Sequence, residues 1–72
     1  MTQKDAESAV EMGLDALLSD GTGECNDANF YGFLAVRSIC HMLLDQEHPL
    51  YQKINSYVQI YLVRRRDEDE KP

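Results

Sequence analysis

The 72-residue sequence predicts an all-α fold of three helices, over about residues 3–19, 28–45 and 49–66, ending in a flexible acidic tail at 67–72. Three observations carry this reading. Apolar residues recur at helical spacing in each stretch, Gly21 and Gly23 separate the first helix from the second, and Pro49 opens the third. Residues 1–66 then form one helical domain, and 67–72, with no apolar anchor, are expected to be disordered.

In the first helix Ala6, Ala9, Val10, Gly13, Leu14 and Leu17 line one face. Thr2 stands at the N-cap position with Asp5 three residues on, the spacing of a capping box, although Glu or Gln is the commoner reach-back partner. Glu7, Glu11 and Asp15, four apart, make an acidic stripe that reads as a solvated face. Gly21 and Gly23 suit the left-handed backbone that turns a chain after a helix.

Asn26 or Asp27 is expected to cap the second helix, which is apolar around most of its circumference: Phe30, Phe33, Leu34, Val36, Ile39, Cys40, Met42, Leu43 and Leu44. Arg37, Ser38, His41 and Asp45 supply only a narrow polar strip. A helix of that kind must be covered on most sides. A domain below about 70–80 residues seldom has enough core of its own, so a homodimer is expected to provide the cover.

Pro49 suits the first position of the third helix, where its missing N–H costs nothing. Leu50, Ile54, Tyr57, Val58, Tyr61 and Leu62 follow at helical spacing, and Arg64, Arg65 and Arg66 complement the negative end of the dipole. Residues 56–63 are also rich in β-branched and aromatic side chains. They could form a strand, which would have to pair across a dimer.

Seven Lys and Arg against thirteen Asp and Glu give a net charge of −6, which repels phosphate and argues against direct nucleic-acid binding. No charge-free stretch approaches the ~20 apolar residues of a membrane span. Two cysteines and no secretory h-region after Met1 point to reduced thiols and a cytoplasmic location.

Cys25, Cys40, His41 and His48 are the residues that could bind a transition metal, but Cys40 and His41 are adjacent and diverge by about 100° on a helix, unlike zinc knuckles. No metal, cofactor or catalytic residue is assigned, since a chain this short offers little cleft and no third group to orient a Cys–His pair. Tyr57 and Tyr61 lie one turn apart, with Arg64 and Arg65 at the next. Tyrosine and arginine are enriched at interfaces. With Phe30 and Phe33, these residues are expected to form the dimer or partner-binding surface.

The expected function is therefore a small protein–protein interaction module, a regulator, adaptor or inhibitor with no chemistry of its own. The alternatives are an acidic decoy for a nucleic-acid-binding surface and a Cys/His metal-binding protein.

Overall fold

A computed structural model describes the chain from Thr2 to Glu70, the side chain of Glu70 aside. Three helices follow one another, α1 (Gln3–Leu18), α2 (Phe30–Leu43) and α3 (Pro49–Glu70), and no strand occurs among the described residues. The central helix, α2, packs along both neighbours, whereas α1 and α3 meet over a shorter length.

The start of α1 is the expected capping box. Thr2 Oγ1 accepts the Asp5 amide at 3.1 Å, and Asp5 Oδ2 accepts the Thr2 amide at 3.5 Å. After Ser19 the chain turns through Gly21 and Gly23, whose φ angles of 90° and 67° lie in the left-handed region that glycine enters without strain.

The second helix begins two residues later than its pattern predicts. Asn26 Oδ1 accepts the amides of Ala28 and Asn29 at 2.9 and 3.1 Å, so Asn26 caps a turn that precedes α2. Asn29 then points its side chain into the loop. It is only 9% exposed, its Oδ1 accepts the Asn26 amide at 2.7 Å, and its Nδ2 donates to the carbonyls of Leu17 and Glu24 at 3.3 and 3.0 Å. A side chain serving those carbonyls cannot cap the helix.

At the other junction α2 stops at Leu43, because Leu44 turns extended and buries its side chain. Pro49 is the first residue of α3, as expected. His48, just before it, accepts the Leu50 amide at Nδ1 (3.1 Å) and meets Glu7 Oε1 with Nε2 (2.8 Å). Because Nδ1 is an acceptor, the neutral ring carries its proton on Nε2 and donates it to Glu7.

The core comprises Ala6, Val10 and Leu14 of α1, Cys25 of the loop, Phe33, Cys40 and Leu44 at α2, and Ile54 and Val58 of α3. Gly13 and Gly32 bring α1 and α2 close, since a Cβ on Gly13 would stand 3.3 Å from Val36 Cγ2 and one on Gly32 would run into Leu17.

Residues 56–63 are helical, which settles the choice between helix and strand. Val58 and Ile60 would share one face of a strand, yet Val58 is fully buried and Ile60 is 52% exposed. Burial at 54 and 58, with partial burial at 61, follows the helical period instead. The helix also runs on through Glu70, beyond the expected end at 66, with Asp67, Glu68 and Asp69 exposed. Its 22 residues span about 33 Å, so it is the longest element of a molecule 50 Å in its largest dimension.

Two residues of the polar strip of α2, Arg37 and His41, turn toward α3, while Ser38 stays on the outward side. Arg37 Nη1 donates to Asn55 Oδ1 at 2.8 Å, and the His41 ring sits 5.7 Å from Tyr51, so both line the seam with α3. The side facing away from both neighbours carries Tyr31, Ala35, Ser38, Ile39 and Met42, all exposed.

Candidate functional site

The aromatic and basic residues singled out in the sequence gather where the α1–α2 loop meets the second half of α3. Arg64 Nη1 reaches Glu24 Oε2 at 2.6 Å, and Arg65 Nη1 reaches Asp27 Oδ1 at 2.9 Å. Tyr61 donates its hydroxyl to the same Asp27 oxygen and lays its ring on Phe30, with centroids 4.6 Å apart. Asp27 and Glu24 are loop residues, and the loop holds them there through Asn29 and a second network. In that network Asp20 Oδ1 accepts from the Thr22 amide and hydroxyl, and Asp20 Oδ2 accepts from Asn26.

Charge follows this geometry. The Tyr61 hydroxyl, then Arg65, holds the Asp27 carboxyl below its ordinary range, and the same hydrogen bond pushes the Tyr61 phenol up. The Thr22 amide, with Asn26 and the Thr22 hydroxyl, lowers Asp20. The hydrogen bond to Glu24 raises Arg64 above the usual guanidinium value.

Phe30, Tyr61, Arg64 and Arg65 therefore form one cluster. Its groove, about 370 Å³, is lined by Asp27, Phe30, Tyr31, Tyr61, Leu62 and Arg65. Tyr57 stands one turn away and stacks on Phe33 at 5.5 Å. Phe33 is 0% exposed and fills the chain's own core. The arginines, placed in the sequence as helix-end charges or partner contacts, also tie α3 to the loop. Sequence spacing could not show that, because Glu24 and Arg64 are forty residues apart.

The cysteine and histidine residues are dispersed. Cys25 and Cys40 are buried free thiols, pushed up by burial and, for Cys25, by the nearby Glu24 charge. A thiol so placed stays protonated and is a poor nucleophile or ligand. His48 is engaged by Glu7 and Leu50, and His41 lies beside Tyr51. Among the described residues no group of three or more His, Cys, Asp or Glu is placed to hold a metal ion.

The acidic stripe of α1 divides. Glu7 turns toward α3, and the His48 hydrogen bond lowers its pKa, while Glu11 and Asp15 remain exposed. No helix among the described residues is long and apolar enough to cross a membrane.

The interface residues named from the sequence do not include Tyr31, Ile39 and Met42. They are 80%, 50% and 82% exposed, and Tyr31 continues the groove beside Leu62. Their signal was present in the all-round hydrophobicity of the second helix. Which third of the circumference faces outward depends on where α1 and α3 pack.

Compared with protein families, curated proteins and solved structures, the chain matches none.

Proposed function

We propose that this chain is a cytoplasmic protein–protein interaction module that acts by contact, as a regulator, adaptor or inhibitor of another protein, and works as a homodimer. The observation that carries this reading is the amount of large apolar side chain left in water by so small a domain. Tyr31, Met42 and Met12 are 72–82% exposed, and Ile39, Ile60 and Val63 about half. Single exposed apolar residues are ordinary, but Tyr31, Ile39 and Met42 share one side of α2, and neighbouring apolar residues mark contact surfaces. Two buried thiols without a disulfide accord with a reducing compartment.

The aromatic and arginine cluster is the surface offered to the other protein. Phe30, Tyr61 and Leu62 give it apolar area, and Arg64 and Arg65 border it with charge already oriented by Glu24 and Asp27. An acidic decoy would have to work through Glu11, Asp15 and the exposed acids at the end of α3, because Glu7, Glu24 and Asp27 are occupied within the chain.

The test is capture of partners with the full chain as bait, followed by affinities of variants for the captured protein. Tyr61→Ala is expected to weaken binding by about 2 kcal/mol or more, and Glu11→Lys by far less, with circular dichroism showing both folded. A strong loss on charge reversal, indifference to Tyr61 and a steep fall with salt would overturn the contact reading in favour of the decoy.

A further inference from the structure

The outward side of α2 bears no Asp, Glu, Lys or Arg from Tyr31 to Met42, in a chain whose net charge is −6. We infer that this strip is the surface on which a second copy of the chain docks, α2 antiparallel on α2, about a twofold axis near residues 36 and 37. The inference rests on the dimer reading and deepens it by naming the face and the register.

Charge selects the occupant. Two copies at −6 repel wherever their carboxylates meet. On α1 those carboxylates sit away from the strip, since Glu7 bonds to His48, just before α3, and Glu11 and Asp15 follow at four-residue spacing on the same side. An acidic chain can therefore approach itself through α2 without bringing that stripe together. A basic partner would instead be drawn to α1.

Size is sufficient. Tyr31 is 80% exposed, Met42 82%, Ile39 50% and the adjoining Leu43 41%. At about 200 Å² for a large side chain, this is roughly 500 Å² per copy, or ~1,000 Å² for the pair. That meets the ~1,000 Å² a specific interface has to clear and marks a weak one.

The residue order selects the register. Ala35 and Ser38 are the small residues at the middle of the strip, where they let two helix backbones approach, and Tyr31 and Met42 fill the space toward the ends as crossed helices diverge. Antiparallel pairing sets the Tyr31 ring against the Met42 thioether of the other copy, a favourable sulfur–aromatic contact. It also sends the two acidic C-terminal turns, Asp67 to Glu70, to opposite ends of the dimer. Parallel pairing would place them side by side.

Sedimentation equilibrium and cysteine crosslinking test the inference on the full chain. The wild type should be dimeric at tens of micromolar, and Met42→Glu should raise the dimer dissociation constant at least about tenfold, because it sets two unpaired carboxylates in the contact. Met42 is 82% exposed, so the variant should keep the helical circular dichroism of the wild type. Ile60→Glu, on the outer side of α3, should leave the dimer intact. A mixture of Tyr31→Cys and Met42→Cys chains should oxidise mainly to the mixed disulfide, with the native thiols protected by burial. A dimer broken by Ile60→Glu and indifferent to Met42→Glu, or same-position disulfides in excess, would overturn the face or the register while leaving a dimer. A wild-type monomer would overturn the dimer reading as well.

Discussion

His48 joins the start of α3 to the first half of α1: Nδ1 accepts the Leu50 amide, and the Nε2–H donates to Glu7 Oε1 at 2.8 Å. One ring thus caps one helix and holds another, across 41 residues of sequence. His48→Ala removes both bonds and should cost about 1–2 kcal/mol in urea denaturation, most of it from the lost cap. Gln at position 48 should recover only part.

Stability should fall in acid. The carboxyls of Glu7, Asp20 and Asp27 all lie below their ordinary values, Glu7 through His48, Asp20 through the Thr22 amide and Asp27 through Tyr61. A carboxyl lowered in the folded state stabilises it above the unfolded value, and the contribution disappears as pH falls through the folded value. Unfolding free energy should therefore decline as pH drops below about 4–4.5, the ordinary carboxylate range. Asp27→Asn should flatten that decline. An unchanged slope in Asp27→Asn would count against the Tyr61 and Arg65 contacts.

Asn29 should be the most sensitive polar position. Replacing it by Ala removes the donors to the Leu17 and Glu24 carbonyls and the acceptor for the Asn26 amide. Three hydrogen bonds of about 1 kcal/mol net each give a loss of about 3 kcal/mol. Thermal denaturation checks it, and a loss under 1 kcal/mol would show that water replaces the side chain.

The last turn of α3 should open readily. Asp67, Glu68 and Asp69 are exposed, and the nearest buried residue, Val58, lies more than two turns back. Segments with few buried contacts exchange their amides with opening free energies near zero. Hydrogen exchange should be fast at 67–70 and slow at 54–58, and ending the chain at Arg66 should leave the unfolding midpoint nearly unchanged.

The native thiols should react slowly. Cys25 and Cys40 are 3% and 0% exposed. A thiol reagent should modify both at the rate of unfolding, and rapid modification of either in native protein would contradict its burial.

Helix identity and most boundaries were legible in the sequence because they rest on local chemistry. Thr2 with Asp5, the two glycines and Pro49 each act within a few residues. The start of α2 was not, because Asn29 answers to carbonyls at Leu17 and Glu24 rather than to its own helix. The same limit applies to the surface. Tyr57, Tyr61, Arg64 and Arg65 stood out by type and spacing, but their partners Phe33, Phe30, Glu24 and Asp27 are set by how α3 returns along the bundle. The outward strip of α2 was hidden for a related reason: Arg37 and His41 read as its solvent side, yet Asn55 and Tyr51 draw them to the seam with α3.

The most direct measurement of contact through α2 is the concentration dependence of backbone amide resonances, followed from about 10 μM to about 500 μM, the range that brackets a weak specific interface. The account predicts shifts along Tyr31, Ala35, Ile39 and Met42, with Glu11 and Asp15 unmoved. Spectra that do not change with concentration, or changes confined to α1 or to the outer side of α3, would contradict it.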